Sequence, residues 1–282
     1  DVADYYYEVQ RFDSLVMDAI RSLEKIGQLE NTILVVTGDH GMPFPRCKGN
    51  LYDSGVRVPF AIRWGKKVSA GRKVDDFISF ADIAPTLLEV AGIEVPGNMT
   101  GKSFVNVLKS KKSGMVDPVH RSDIVFGRER HVPAQEKPNM SGYPSRGYRN
   151  NEFLYIRNFK PDLWPAGTGK IGFTNYAGQW YADCDGGATK DYIIENKDKD
   201  EEHIRSYELC FAKRPAEELY DLKNDLDQLN NIATDSTYVK ILKSMRIKLQ
   251  ERLTALNDPR AKNPSYEEFD KHPYLGGGGG KK

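Results

Sequence analysis

The sequence predicts an α/β fold with a largely parallel sheet covered by helices, on three observations. An amphipathic period over residues 3–28 leads into a β-branched run over 32–37, which ends abruptly on Gly38-Asp39-His40-Gly41. A second strand and a second helix follow, giving the order helix, strand, loop, strand, helix of a sheet sandwiched by helices. Beyond about residue 95 the texture changes. Pro, Gly and Lys accumulate and short strand-like pieces follow, which predicts a smaller α+β subdomain on an antiparallel sheet.

In the first helix the apolar positions are Tyr6, Val9, Phe12, Val16, Ala19, Ile20, Leu23 and Ile26, mostly three or four apart. Gly27 supplies its stop. The run 32–37 reads as a buried parallel strand that delivers polar groups to the carboxyl edge of a sheet, where α/β proteins bind ligands. Residues 58–63 form the next strand. Asp82 reads as the N-cap of a helix through Leu87, Leu88 and Val90, stopped by Gly92. Later strands are expected at 123–126, 147–149, 153–158 and 218–222. A final helix over about 237–256 carries Val239, Ile241, Leu242, Met245, Ile247 and Leu249. These patterns divide the chain into residues 1–117, residues 118–275, and a flexible Gly/Lys tail at 276–282.

The chain has 282 residues and a formal charge of +1, which excludes a strong global field and nucleic acid as the obvious partner. No apolar run is long enough to span a membrane. Cys47, Cys184 and Cys210 have neither metal spacing nor a disulfide framework. The first residues read as mid-domain sequence, so the chain is expected to be part of a longer protein. His120, His203 and His272 read as surface histidines. Asp183-Cys184-Asp185-Gly186-Gly187 reads as a turn, because it lacks the later acidic ligands of a calcium loop. Tyr155, Trp164 and Trp180 read as packing residues rather than sugar platforms. Asn98 and Asn139 open glycosylation sequons that matter only on a eukaryotic secretory route.

The chemistry concentrates after the first strand. Asp39 and His40 are two metal-ligand types side by side, and Gly38 and Gly41 allow a sharp turn and a close ligand approach. Pro43 and Pro45 stiffen the loop that follows, and Lys48 lies on it. A lysine there suits a tetrahedral oxyanion such as sulfate or phosphate. At ~4 Å such a charge pair is worth about 4 kcal/mol at an effective dielectric near 20. The plainer reading of Lys48 is a solvated surface lysine.

The succession Gly38-Asp39-His40-Gly41, Lys48-Gly49-Asn50-Leu51-Tyr52, Gly55-Val56-Arg57-Val58-Pro59 and Phe80-Ala81-Asp82-Ile83-Ala84-Pro85-Thr86 resembles the type I sulfatases of the alkaline phosphatase superfamily over residues 5–110. Three further stretches are similar to the heparan N-sulfatase (sulfamidase) group and its bacterial relatives. They are Met42-Pro43-Phe44-Pro45, the segment from Phe126 through His131 to Lys160, and Pro215 to Leu222.

The resemblance implies an alkaline-phosphatase-like sheet and hydrolysis of a sulfate ester or sulfamate on sulfated saccharides such as heparan-type glycans. It makes Asp39 a metal carboxylate and places His40 at the metal, where sulfamidase has asparagine and other members histidine. Calcium is the implied metal, with manganese or zinc better suited to imidazole. It makes Lys48 the cation that neutralises sulfate charge, and His131 a substrate-facing histidine that contacts or protonates the leaving group. Arg57 is implied to be structural, buried against an aspartate or backbone. Arg146 is either a substrate contact or a fold residue. The family nucleophile, a formylglycine made from cysteine in C-x-P-S-R or C-x-A-x-R, has no counterpart here. Gly142-Tyr143-Pro144-Ser145-Arg146 has glycine where the cysteine must be, so it reads as a decoy. In the family that cysteine and two further metal aspartates precede the position of Asp1, so the implied partner is a missing N-terminal half, and the setting is extracytoplasmic. The alternatives are a phosphonate or phosphate ester hydrolase of the same superfamily and a non-catalytic remnant that binds sulfated glycans.

Overall fold

The apolar period at the start of the chain forms helix α1, Val2–Lys25, in the computed structural model, which describes residues 1–173 and 180–272. The tail at 276–282 lies outside the described residues. Gly27, at φ +66°, takes the left-handed conformation that follows the helix. No residue of α1 is buried, and Tyr6, Phe12 and Leu15 are among its exposed apolar side chains.

Packing divides the chain into two compact units: Asp1–Asp39 with Val58–Ile124, and His40–Arg57 with Val125–Lys282. In the first, strand β1 (Ile33–Thr37) pairs with β2 (Phe60–Trp64), Ile33 opposite Trp64 and Thr37 opposite Phe60. The pairing is antiparallel, which corrects the expected largely parallel sheet. Parallel neighbours need a crossover, usually a helix, between the strands. Residues 38–59 hold only the single turn α2 (Asp53–Val56), and the chain returns beside β1 in reverse. The one parallel pairing outside named strands among the described residues is the isolated bridge Val74–Gly114. β1 is half-buried along its length rather than buried, a second departure from the sequence reading.

Helices α3 (Ile83–Val90) and α4 (Val105–Lys109) belong to the same unit. Phe104, Val107 and Leu108 pack against Phe60 and Ile62 of β2, with Val68, Ile78 and Val116 around them. Asp82 precedes α3 as expected, but its carboxylate does not cap that helix. It accepts from Ser79 N at 3.0 Å and Lys102 N at 2.7 Å and pairs with Arg121 at 2.9 Å. α3 stops before Gly92, whose φ is +72°.

The second unit is built on a four-stranded sheet in the order β3 (Asp123–Arg128), β4 (Ser145–Asn150), β5 (Phe153–Asn158), β6 (Glu217–Asp221). β4–β5 and β5–β6 are antiparallel. Alternation along β5 sends successive side chains to opposite faces. Tyr155, with Tyr148 and Leu219, meets Leu242, Met245, Leu249 and Leu253 of helix α7 (Val239–Ala255). Leu154 and Ile156 instead meet Leu51 and Tyr52, so the loop after Gly41 is anchored on the other face. Between β5 and β6 lie two helices that the periodicity does not announce, α5 (Ala188–Glu195) and α6 (Glu201–Phe211). Their Ile194 and Phe211 pack with Ala166, Tyr181 and Cys184. The N-terminus of α6 is capped by Asp200, which accepts from His203 N at 3.0 Å.

Candidate oxyanion-binding site

The loop from Gly41 to Gly55 folds back on itself. Gly41 N donates to Gly55 O at 2.9 Å and Lys48 N to Met42 O at 3.0 Å. Both glycines are required by closeness. A Cβ on Gly41 would lie 2.1 Å from Ser54 O, and one on Gly55 would lie 2.4 Å from Cys47 O. Arg46, at φ +65°, stacks its guanidinium 3.5 Å from the centre of the Tyr52 ring and donates to the carbonyls of Leu209 and Gln228. Asp53 is held by both sides of the Arg149 fork at 2.8 Å. The backbone that carries Lys48 is therefore tied down at both ends.

The fold brings Lys48 and His131 to one cluster with three groups the sequence reading did not select. His131 Nδ1 lies 2.5 Å from Asp183 Oδ1, and Arg128 donates to Asp183 Oδ2 at 2.9 Å. Arg128 also donates to the carbonyls of Gly49, Pro165 and Tyr143, which links β3 to the lysine loop. Lys48 Nζ lies 2.9 Å from Asp185 Oδ2. The cluster thus holds three cationic side chains against two carboxylates. The hydrogen bond to Asp183 raises the His131 pKa, overcoming burial and the repulsion of Lys48 and Arg128. Because the folded-state value is raised, this pair adds stability that is full below the unfolded-state pKa and is lost as pH rises through the folded-state one. Asp183 and Asp185 lie on the segment read as a turn. It is one, pinned by the buried Lys190, whose ammonium donates to Tyr181 O at 3.1 Å and Cys184 O at 2.8 Å.

Asp39 closes the first unit and His40 opens the second, and both are exposed. His40 Nδ1 is 2.8 Å from Gly41 O. A carbonyl only accepts, so Nδ1 is the donor in this contact. Among the described residues no group of three or more His, Cys, Asp or Glu is placed to hold a metal ion. Asp39 and His40 are donor types that suit a metal, and two side chains fall short of the roughly six to eight oxygens that calcium takes.

Arg146 stands apart from this cluster. It is buried, with Nε 2.7 Å from Asp258 and one NH2 2.6 Å from Glu129, and its remaining NH1 donates to the carbonyls of Arg128 and Ser145. Arg57 departs from the sequence reading, which expected it buried. Its side chain is 75% exposed and only 3.9 Å from Asp53, whose oxygens Arg149 already occupies. Gly142 has no room for a nucleophile, because a Cβ there would lie 2.2 Å from Glu129 O. All three cysteines are free. Burial pushes the Cys184 thiol up to about 12 and Cys210 up to about 11, and it also raises Cys47, so none is an activated thiolate.

Residues 38–122 match the family described as N-sulphoglucosamine sulphohydrolase, C-terminal. The chain is 30% identical to an ulvan-active sulfatase of Formosa agariphila over 96% of its own length and 41% of the relative's. It is 26% identical to the N-sulphoglucosamine sulphohydrolase of Homo sapiens over 92% of its own length and 49% of the relative's. The chain therefore spans less than half the length of these relatives. Among solved structures, a protein in complex with its substrate D-glucosamine-2-N,6-O-disulfate aligns with 90% of this chain and 40% of its own at TM-score 0.60 and 22% identity. A phosphonate monoester hydrolase of Agrobacterium radiobacter aligns with 86% of this chain and 39% of its own at TM-score 0.56 and 19% identity. Those two likenesses place the fold among sulfatase and alkaline-phosphatase-like α/β proteins. The ordered motifs from Gly38 to Thr86, the family match over 38–122 and the sulfatase relatives that align along nearly the whole chain agree: this chain resembles the C-terminal portion of the type I sulfatases.

Proposed function

We infer that the protein of which this chain is part hydrolyses sulfate from sulfated saccharides, as an ester or a sulfamate. The observation that carries this reading is the meeting of Lys48 with His131, Arg128 and Asp183 in one cationic cluster. Lys48 neutralises the sulfate oxygens as charge grows on them in the transition state. His131, its Nδ1 held by Asp183, contacts the leaving group or gives it a proton. Arg146 is assigned to the fold, because all its donors are already engaged. Asp39 and His40 are assigned to a divalent cation, with calcium first and manganese or zinc as the alternatives that imidazole favours. Sulfatases generally use such a metal together with a formylglycine nucleophile. Residues 1–117 are assigned to the catalytic α/β domain and 118–275 to the C-terminal subdomain. The rest of the catalytic domain is expected to supply the nucleophile and to cover the apolar face of α1. The setting is taken as extracytoplasmic, and no helix among the described residues is long and apolar enough to cross a membrane.

The test is sulfate release by the intact protein from glucosamine carrying N-sulfate or O-sulfate, followed by ion chromatography, with a phosphonate monoester in parallel. The expected result is sulfate release by the intact protein and none by residues 1–282 alone. The second reading, a phosphonate or phosphate ester hydrolase, is favoured by the imidazole at His40. Faster turnover of the phosphonate would establish it, and binding without turnover would leave a glycan-binding protein.

A further result is expected at Gly41. In Gly41→Ala the new methyl collides with Ser54 O and the Gly55 backbone, so the loop that carries Lys48 must shift. A displacement near 1 Å at a positioning loop costs about 10²-fold in rate. Kinetics at an unchanged melting temperature check this, and a loss smaller than about threefold would mean that the loop does not set the position of Lys48.

A further inference from the structure

The Asp183-Cys184-Asp185 turn presents two carboxylates to the same cluster in two different states. The side chain of Asp183 is 7% exposed and is fixed by two cations from separate segments, Arg128 and His131. The side chain of Asp185 is 41% exposed, and its carboxylate pairs with Lys48, with the Lys190 ammonium acting on it at longer range. The backbone between them is held by hydrogen bonds. Asp183 N donates to Ala166 O at 3.0 Å, Cys184 N to Tyr181 O at 3.0 Å, and Lys190 clamps the turn from below. In this geometry each aspartate serves its own partners.

We propose that this turn sets the anion affinity of the site in opposite directions. Asp183 is a positioning residue that holds His131 for the anion, and Asp185 is a displaceable counter-ion that occupies Lys48 until an oxyanion replaces it. The inference rests on the reading of the cluster as a sulfate site.

The chemistry follows from the donor inventory. A carboxylate accepts, so His131 Nδ1 carries a proton toward Asp183, and the second proton of the imidazolium goes to Nε2. Nε2 makes no hydrogen bond with the described residues, and 38% of the His131 side chain is exposed. The charged groups around His131 are Asp183, which favours the imidazolium, and Lys48 and Arg128, which oppose it. Asp185 acts at one remove, by screening Lys48. Replacing Asp183 with asparagine removes the favourable contact and leaves both opposing cations. Replacing Asp185 with asparagine removes a competitor: an exposed pair of this kind is weak and easily exchanged, and the lysine ammonium is then open to the anion.

The experiment is a titration of inorganic sulfate into the intact protein with ¹³C-labelled histidine, in wild type, Asp183→Asn and Asp185→Asn, at several pH values. The His131 resonance is assigned by its loss in His131→Gln. In Asp183→Asn the His131 midpoint is expected to fall, and sulfate binding below the wild-type midpoint to weaken about 10-fold or more, the worth of one charged hydrogen bond. Asp183→Glu, which keeps the charge, is expected to restore much of the midpoint and guards against a folding defect in the asparagine variant. In Asp185→Asn sulfate is expected to bind several-fold more tightly. An unchanged His131 midpoint in Asp183→Asn would overturn the role of Asp183 while leaving the sulfate site in place. Weaker binding in Asp185→Asn would overturn the role of Asp185. Absence of sulfate binding in wild type would overturn the reading of the site and the counter-ion with it, while the midpoint would still report on Asp183.

Discussion

Replacing Lys48 with methionine is expected to lower kcat/KM for sulfate ester hydrolysis by the intact protein by about 10²–10³-fold, the usual loss when one preorganised stabiliser of transition-state charge is removed. Folding should change little. The lysine side chain is 25% exposed and paired with the still more exposed Asp185, and such pairs contribute about 0–1 kcal/mol. Lys48→Arg keeps the charge and should retain most of the activity, although a planar fork meets a tetrahedral anion differently from a point charge. Arg57→Met is the comparison. It removes a cation from the same loop, but an exposed one 3.9 Å from its nearest carboxylate, and should change kcat/KM by no more than a few-fold. Equal losses at both positions would mean that general loop charge, rather than Lys48, holds the sulfate.

The second large effect is on stability. Glu129 joins two buried arginines: its Oε1 accepts from Arg146 at 2.6 Å and from Arg260 Nε at 2.8 Å, and its Oε2 accepts from Arg260 at 2.6 Å. The Arg260 side chain is 1% exposed and lies over the rings of Phe159 and Tyr266. Asp258 closes the network on Arg146 at 2.7 Å. Glu129→Ala leaves Arg146 with Asp258 and strips the buried Arg260 guanidinium of its carboxylate, leaving it Pro264 O, and breaking a buried pair in this way costs about 3–5 kcal/mol. Denaturant unfolding of the wild type and variant measures it through the midpoint at unchanged slope. Glu129→Gln, which keeps the size and one acceptor, should lose less. A loss below about 1 kcal/mol in the alanine variant would show that water reaches the arginines, and would return Arg146 to the set of groups available to substrate.

Much of the secondary structure was legible because its causes are local. The three-and-four spacing from Tyr6 to Ile26 is a property of one helix, and the strand at 153–158 declares itself by the apolar and aromatic run Phe153-Leu154-Tyr155-Ile156. Pairing direction was not legible. The run 32–37 reads the same whether its neighbour is parallel or antiparallel, and only the absence of a crossover helix between β1 and β2 decided it. Asp82 shows a similar limit. It stands where an N-cap should, yet its carboxylate is taken by Lys102 N and Arg121, partners 20 and 39 residues away.

The candidate site divides along the same line. Asp39, His40 and Lys48 could be singled out because their chemistry is written in adjacent residues: a polar ending to an apolar run, flanking glycines, and a stiff loop with one cation. Asp183 and Asp185 could not, because an Asp-Cys-Asp-Gly-Gly segment carries the local marks of a turn and nothing more. Their partners are 52 and 137 residues distant in the chain. Arg146 shows the converse. Its motif left substrate contact and fold equally open, and its pairing with Glu129 and with Asp258, 112 residues away, was not written in the neighbouring residues. By itself the sequence determined the periodic elements, the family resemblance and the residue types able to meet an oxyanion, because each depends on neighbours along the chain. Tertiary structure alone decided which carboxylate holds which cation, and therefore which arginines and histidines are left to act, because charges are paired by distance in space and that distance bears no relation to separation in sequence.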